Sequence, residues 1–318
     1  MATYIVRRLL IGVLILIMVT VLVFIVMRFL PGDPLMLYVS QSDVNVASPE
    51  QLEKLRLEFG LDKSFPMQYI DWIGGVLRGD LGVSVFYRQS VSYLFSKRLP
   101  ITIYLGVLAF IISSILGVIF GTTCALRRGK KIDAVITVLA NIGITVPSFW
   151  VGILLIYLFS LKLGWLPTSG YTSPFQDFWL SLRRVIMPVF CLSLFSIASL
   201  TRQSRSSVLE VIGMDYVRTA WAKGLRERAI VLKHIIKNAM IPVITILGVQ
   251  VSLIFGGSVL IETIFNIPGM GRLLTEAVFG HDYQVVQGGV LIIALIIVLT
   301  NLLVDISYGW FDPRIRYG

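Results

Sequence analysis

The sequence predicts an all-α integral membrane protein with six transmembrane helices and a small extracytoplasmic helical insert after the first span. Of its 318 residues, 56% are hydrophobic and only 14% are charged, whereas soluble domains carry about 25% charged residues. Apolar stretches long enough to cross ~30 Å of hydrocarbon recur along the chain. The net charge of +10 is explained by basic residues in loops on one side of these stretches, a bias typical of cytoplasmic loops. It therefore does not indicate a nucleic-acid partner.

The first predicted span is Leu9–Met27, an uncharged run that follows Arg7 and Arg8. Its apolar core is too long for a signal peptide, and no small-residue cleavage site follows it. We therefore expect a retained span. The two arginines place the N-terminus in the cytoplasm.

Residues 31–98 are rich in acidic residues and predict a small ordered insert outside the cytoplasm. Ser48-Pro49-Glu50-Gln51 has the pattern of a capping box with proline at the first helical position. A second helix is expected to present Ile70, Ile73 and Leu77 on one face. The insert is too small for a large core, so we expect it to pack on the spans or on a partner.

The second predicted span is Ile101–Leu126, in which Gly117 and Gly121 form a small-xxx-small pattern typical of close helix packing in membranes. A cluster of basic residues follows it and predicts a cytoplasmic loop: Arg127, Arg128, Lys130 and Lys131. The third span is Ala134–Leu161. Pro147 removes a backbone hydrogen bond inside it and is expected to kink the helix.

The remaining predicted spans are Val185–Thr201, Pro242–Ile261 and Val285–Val304. The fourth span is the weakest, because it is short and contains Pro188 and several serines. We expect it to lie inside a bundle, away from lipid. Between the last two spans, Ile267-Pro268-Gly269 predicts a turn.

A short helix is predicted within the basic cytoplasmic loop 202–241. It would run over Tyr216–Lys223, with Asp215 as its N-cap and Gly224 in the left-handed conformation that ends a helix. A helix of this length is not stable alone, so it is either an ordinary connection held by its flanks or a surface docked on another protein. After Gly224, a second helix at the membrane surface is expected to share one apolar face among Leu225, Ala229, Leu232 and Ile236.

Sequence motifs for chemistry are absent. No GxxxxGK[ST] phosphate loop occurs, so any ATP would be bound by another subunit. The spans hold almost no ionisable residue, which argues against a proton-coupled carrier. The predicted topology puts His234 and His281 on opposite sides of the membrane. An intramembrane enzyme that pairs His281 with a serine such as Ser258 remains a remote alternative. We predict no catalytic residue and no metal site.

A set of short motifs occurs in a defined order along essentially the whole chain, and together they resemble the permease subunits of peptide-class ABC importers, of the first-permease type. That family also includes nickel and glutathione permeases. The motifs are Phe29-Leu30-Pro31-Gly32-Asp33-Pro34, Gly60-Leu61-Asp62, Gly79-Asp80-Leu81-Gly82, Arg98-Leu99-Pro100, Pro147-Ser148-Phe149-Trp150, Gly164-Trp165-Leu166-Pro167, Asp215–Leu225, Glu262-Thr263-Ile264-Phe265, Pro268-Gly269-Met270-Gly271 and Asp312-Pro313-Arg314-Ile315-Arg316-Tyr317.

The resemblance implies the type I ABC importer permease fold. It divides the chain into the N-terminus and first span (1–30), the extracytoplasmic insert (31–98) and the core permease domain (99–318), which contains the coupling loop 202–241. It also implies a multi-pass protein of the bacterial cytoplasmic membrane with both termini in the cytoplasm.

The resemblance further implies that the short helix docks on a cytoplasmic ATPase. The residues it assigns to this contact are Asp215, Tyr216, Val217, Arg218, Thr219, Ala220, Trp221, Ala222, Lys223, Gly224 and Leu225. Importers at large begin this motif with Glu-Ala-Ala, whereas Arg218-Thr219-Ala220 stands here, with Gly224 at the matching distance. The glutamate is absent, and we expect Arg218 to make the polar contact.

The implied function is ATP-driven import of di- or oligopeptides, with nickel or a metal chelate, or glutathione, as alternative substrates. The implied partners are a second, homologous permease, two ATP-binding subunits and an extracytoplasmic solute-binding protein. ATP and Mg would be bound by the partner subunits, and no cofactor by this chain. The polar side chains that could line the path are Asn141, Ser148, Gln250 and Ser252, and packing inside the bundle is an equal alternative for each.

Overall fold

The computed structural model describes residues 2–30, 53–54, 56–57 and 60–311, and these form an all-α fold, as predicted. The motif Ser48–Gln51 lies outside the described residues. The helices are α1 (Ala2–Phe29), α2 (Phe65–Leu77), α3 (Val91–Leu126), α4 (Lys131–Thr145), α5 (Ser148–Leu155, continued by a π-helix at Ile156–Lys162), α6 (Phe178–Ile212), α7 (Asp215–Ala222), α8 (Glu227–Ile264), α9 (Met270–Phe279) and α10 (Tyr283–Phe311).

Five of the described helices are long and apolar enough to cross a membrane: α1, α3, α6, α8 and α10. Helices α4 and α5 pass the same test as a pair, which gives up to six crossings. The two helices of that pair are bent by 103°. Val146, between them, has extended backbone angles (φ −82, ψ 127), because the residue before a proline disfavours the α conformation. The expected kink at Pro147 is therefore confirmed as a full break.

The chain forms two compact units. The first, called here the core unit, comprises Met1–Ile5, Thr102–Pro268 and Leu299–Gly318. The second, called here the insert unit, comprises Val6–Ile101 and Gly269–Val298. The unit borders fall inside α3 and α10, so this grouping differs from the predicted division at residues 30 and 98. The functional division of the sequence stays a prediction.

Helix α6 is the centre of the core unit. Of the 18 most apolar residues of each candidate span, 61% are buried in α6, more than in any other described span. This confirms that the weakest span of the sequence lies inside a bundle. Gly117 and Gly121 of α3 pack directly on it, since a Cβ at Gly121 would stand 2.5 Å from the Ser204 Cβ and 2.6 Å from the Thr201 carbonyl oxygen. The predicted small-xxx-small contact is confirmed.

The insert unit has a continuous apolar core of its own. It is formed by Met27, Val91, Leu94, Phe95, Met270, Leu273, Ala277, Tyr283, Val285 and Val286. Helix α9 contributes three of these residues, although the sequence indicated only a turn in that loop. Its amphipathic run is short and follows Gly269 directly, so hydropathy did not separate it from the neighbouring spans.

Helix α2 forms where it was expected, and the apolar face predicted for it is largely exposed on this chain. Ile70 is 61% exposed and Leu77 is 83% exposed, whereas Gln68 and Trp72 are buried. The Gln68 side chain accepts hydrogen bonds from Arg28 of α1, at 2.8 Å from Nη2 and 3.2 Å from Nε. The face of α2 that is buried therefore includes a polar contact to Arg28. The spacing of apolar residues gives no information on such a contact.

Candidate functional site

Helix α7 is held on the core unit by two inward-facing residues. Val217 is fully buried, and Ala220 is 5% exposed. They belong to one apolar cluster with residues of α3, α6 and α8: Ala125, Val208, Val211, Ile230, Ile235 and Ala239. A short helix that would not persist alone is thereby packed against three long ones.

The N-terminus of α7 differs from the prediction. Met214 is the N-cap and Asp215 is the first helical residue, whose side chain makes no capping hydrogen bond. The Met214 carbonyl accepts from Val217 N at 3.1 Å and from Arg218 N at 3.3 Å. The Asp215 carboxylate is exposed and lies 3.6 Å from Arg218 Nη1. It still favours this helix end, because a negative charge in the first turn complements the helix dipole.

The C-terminus of α7 is a complete Schellman motif. Gly224 N–H donates to the Trp221 carbonyl at 2.9 Å, and Leu225 N–H donates to the Ala220 carbonyl at 3.4 Å. Gly224 has φ +72, in the left-handed region. The predicted role of Gly224 in ending this helix is confirmed, and the position of the chain that leaves α7 is fixed by hydrogen bonds.

The outward side of α7 combines aromatic and cationic groups. Tyr216 is 44% exposed and Trp221 is 46% exposed, and Arg218 and Lys223 lie between and beside them. All residues of the predicted coupling set except Val217 and Ala220 are exposed, namely Asp215, Tyr216, Arg218, Thr219, Trp221, Ala222, Lys223, Gly224 and Leu225. Val217 and Ala220 thus position the helix and are not available on its outer surface.

The segment after α7 forms the start of α8, and the apolar face expected at the membrane surface is not the face that packs against the bundle. Leu225 is 44% exposed and Leu232 is 54% exposed, whereas Ile230 and Ile235 are buried. Residues Ile230–Ile236 are π-helical. Because a π-helix bonds residue i to i+5, side chains five apart share a face, and the three- and four-residue spacing used for the prediction does not apply.

A pocket of about 280 Å³ lies beside the break at Pro147 in the core unit. Ser148, Cys191 and Ser196 contribute to its walls. The buried Gln250 accepts a hydrogen bond from the Ser196 hydroxyl at 2.6 Å. The other two polar residues predicted for the path lie outside the pocket walls, Asn141 being exposed and Ser252 half-buried. Of the four predicted path residues, Ser148 therefore lines this pocket, and Gln250 is linked to it through Ser196.

An ion pair that the sequence analysis did not anticipate fixes the basic loop between α3 and α4. Arg205 of α6 donates to the Asp133 carboxylate from Nε at 2.9 Å and from Nη2 at 3.0 Å. Gly129 N–H donates to the same carboxylate at 3.0 Å. Sequence spacing gave no signal for this contact, because the two side chains are 72 residues apart.

Residues 94–317 match the family described as binding-protein-dependent transport system inner membrane component, and residues 1–106 match the N-terminal family of the same transport systems. A putative peptide transport system permease protein of Brucella abortus (strain 2308) is 42% identical over 318 residues, which cover 100% of both chains. The oligopeptide transport system permease protein AppB of Bacillus subtilis (strain 168) is 39% identical over 321 residues, again covering 100% of both.

The fold is similar to that of a solved transporter. The methionine ABC transporter MetNI, in an inward-facing conformation, matches with a TM-score of 0.58 and 14% identity, covering 70% of this chain and 97% of that chain. This likeness concerns the fold alone. In the described part of the sequence, no group of three or more His, Cys, Asp or Glu side chains could hold a metal ion.

Proposed function

This chain belongs to the family of binding-protein-dependent transport system inner membrane components, and we propose that it moves di- and oligopeptides inward across a bacterial cytoplasmic membrane. It is a permease subunit of an ABC importer. Peptide as the cargo is supported by full-length relatives, about 40% identical, that are named for peptide transport. Nickel, metal-chelate or glutathione transport are the competing substrates within the same family.

The proposed docking surface for a cytoplasmic ATPase is the outer side of α7. The observation that carries this assignment is the combination of a buried anchor and an exposed face. Val217 and Ala220 fix the helix, while Tyr216, Arg218 and Trp221 are presented outward. Aromatic residues and arginine are the residues that most often dominate the energy of protein interfaces.

In the proposed mechanism, ATP binding closes a pair of ATPase subunits and displaces α7. Because α7 is packed on α6 and α8 through one apolar cluster, its displacement is passed to both of these helices, as in other interface-driven switches. The pocket beside Ser148 and Ser196 is the proposed part of the path in this chain. ATP and Mg are assigned to the partner subunits, together with all hydrolysis.

The complete importer would contain this chain, a second homologous permease, two ATPase subunits and an extracytoplasmic solute-binding protein. In this proposal, both termini and α7 lie in the cytoplasm. An enzymatic role is not proposed, and the Ser258 hydroxyl, the candidate nucleophile of that alternative, donates to the Phe255 carbonyl at 2.8 Å.

The test of peptide import is growth of an amino-acid auxotroph on defined peptides of two to six residues. The gene is deleted in a strain that lacks other peptide importers, and growth is compared with and without the wild-type gene. We expect growth on a defined range of peptide lengths to require the gene. Equal growth at every length, together with lost nickel or glutathione uptake, would assign the competing cargo.

A further inference from the structure

A second pocket, of about 210 Å³, lies in the insert unit, and the proposed transport mechanism does not use it. Side chains of α1, α2 and the start of α10 form its walls, among them Arg28, Trp72, Gln284 and Gln287. Its volume is below the ~300–1,000 Å³ typical of pockets for drug-sized ligands. It therefore suits a very small molecule or the end group of a larger one.

Arg28 is held rigidly at this pocket. Its guanidinium stacks on two rings, with the Cζ atom 4.1 Å from the Phe24 ring centroid and 4.4 Å from that of Tyr283. One edge of the guanidinium, Nε and Nη2, donates to Gln68 Oε1. Gln68 is itself fixed, because its Nε2 donates to the Lys63 carbonyl at 2.8 Å. These contacts leave Nη1 as the free edge of a preorganised cation.

Four polar atoms at this pocket are buried without a hydrogen-bond partner among the described residues. Three are donors, namely Arg28 Nη1, Trp72 Nε1 and Gln287 Nε2, and the fourth, Gln284 Oε1, is an acceptor. Buried polar groups in folded proteins are almost always paired, and an unpaired group costs free energy. Because these atoms are concentrated around one cavity, a polar occupant could pair with all four of them.

The charge of Arg28 is not paired within the described part of the chain. Arg28 makes no ion pair with any described carboxylate. Asp71 and Asp80 contribute to the walls, but Asp71 is paired with Lys63 Nζ at 2.7 Å. Asp80 accepts from Gly82 N–H at 2.8 Å. A half-buried guanidinium that neither of these carboxylates neutralises favours an anionic ligand.

We propose that this pocket binds a free carboxylate with an N–H group beside it, the end group of an amino acid or a short peptide. Arg28, Trp72 and Gln287 supply donors for the two carboxylate oxygens, and Gln284 supplies the acceptor for the neighbouring N–H. A planar guanidinium edge suits a carboxylate in particular. Ordered water would satisfy the hydrogen bonds but would leave the charge of Arg28 uncompensated. The site shares no wall residue with the pocket proposed for the path and does not depend on which cargo is moved.

The experiment measures binding of radiolabelled N-acetylalanine by equilibrium dialysis to the membrane complex of the two permeases and two ATPase subunits in nanodiscs, without nucleotide or solute-binding protein. Two other probes define the recognised groups, since the amide of N-acetylalanine lacks the carboxylate and acetate lacks the N–H. We expect N-acetylalanine to bind, acetate to bind more weakly and the amide not to bind. Absence of binding by N-acetylalanine, or equal binding of the amide, would overturn the proposal.

The matched variants are Trp72→Phe in the pocket and Trp179→Phe on an exposed position of α6. Trp72→Phe keeps an aromatic ring and removes only the Nε1 donor, so it should weaken binding at least about tenfold, the usual effect of losing a hydrogen bond to a charged group. Trp179 is 72% exposed, and its variant should bind like the wild type. Unchanged affinity in Trp72→Phe would contradict the assignment of the site.

One alternative occupant is a carboxylate of the chain itself, because residues 31–52 and 58–59 contain Asp33, Asp43, Glu50 and Glu58. The combined variant Asp33→Asn, Asp43→Asn, Glu50→Gln, Glu58→Gln distinguishes the two sources. Equal binding by this variant and the wild type supports a free ligand. Binding that appears only in the variant would show that the wild-type pocket is filled internally, and would overturn the proposal. Peptide-dependent growth is measured independently, so its failure would be recognised separately.

Discussion

At the scale of single residues, Gly121 is a glycine of the core unit at which there is no room for a larger side chain. A Cβ there would lie 2.6 Å from the Thr201 carbonyl oxygen and 2.9 Å from Arg205 N, both backbone atoms that cannot rotate away. Gly121→Ala should therefore push α3 and α6 apart and lower the free energy of unfolding by about 2 kcal/mol, as overpacking does. The measurement is unfolding of the purified protein in mixed micelles.

Gly256 provides the matched control for this substitution. It also lies inside a long helix, α8, but nothing stands within 4 Å of the Cβ that alanine would add. Gly256→Ala should leave stability unchanged or raise it slightly, since alanine favours helix. Equal stability of the two variants would show that the α3–α6 contact is looser than the structure indicates.

Asp282 has a comparable role in the insert unit. It is fully buried; one carboxylate oxygen accepts from the Ser84 hydroxyl and from Phe86 N at 3.2 Å, and the other caps α10 through Val285 N at 3.4 Å. Asp282→Ala leaves these donors unpaired and should lower the free energy of unfolding by about 3 kcal/mol. Hydrogen exchange of the amides at 84–86 should rise with it.

Asp71→Ala is the control for Asp282→Ala, because Asp71 forms an exposed ion pair with Lys63. Such pairs contribute about 0–1 kcal/mol. If both aspartate variants lost the same stability, the difference between a buried and an exposed carboxylate in this unit would be refuted.

At the scale of elements, the sequence was sufficient to predict the spans, the break at Pro147 and the C-terminal end of α7. These depend on local properties: apolar length, the missing N–H of proline and the positive φ of Gly224. The faces that α2 and Ile230–Ile236 bury were not predicted. In both cases the decisive factor is not local, being the contact of Gln68 with Arg28 in one and the π-helical spacing in the other.

The same distinction holds for the candidate site. Its exposed residues were predicted from the motif in 215–225, and the glycine end was correct. The predicted N-cap of α7, Asp215, was wrong. An aspartate is common both as the N-cap and as the first residue of a helix, so the sequence does not distinguish the two positions. Ser196 and Cys191 of the core pocket were missed, since they belong to an apolar run and are brought to Ser148 only by the bend between α4 and α5.

Substitutions of Gly224 test whether α7 acts as a rigid unit. Proline cannot adopt φ +72 and has no N–H to donate to Trp221, so Gly224→Pro should break the Schellman motif and uncouple uptake from ATP hydrolysis. Asparagine tolerates the left-handed region, and nothing lies within 4 Å of a Cβ at this position. Gly224→Asn should therefore retain most of the uptake of labelled peptide. Normal uptake in Gly224→Pro would refute the coupling role of α7.

At the scale of the whole molecule, the number of crossings depends on the bent pair α4–α5. If the pair crosses the membrane once, the loops at 127–131 and 213–226 lie on the same side. If it re-enters and returns, α6 places them on opposite sides. Both loops are basic, and the first carries Arg127, Arg128, Lys130 and Lys131. Because positively charged loops stay in the cytoplasm, the single crossing is favoured.

Cysteine labelling decides between these two topologies. The only cysteines of the chain, Cys124 and Cys191, are buried, and both are replaced by alanine before single cysteines are introduced. Phe175→Cys, at a 98% exposed position, should react with a membrane-impermeant maleimide in intact cells. Arg128→Cys and Lys223→Cys, at exposed positions of the two basic loops, should react only after the membrane is permeabilised. Leu77→Cys, at an 83% exposed position of α2, should react from outside.

Equal reactivity of Phe175→Cys and Arg128→Cys would assign α4–α5 as a re-entrant segment. It would also place α7 on the opposite side from the first basic loop, so that the cytoplasmic contact proposed for α7 would hold only if that first loop lay outside.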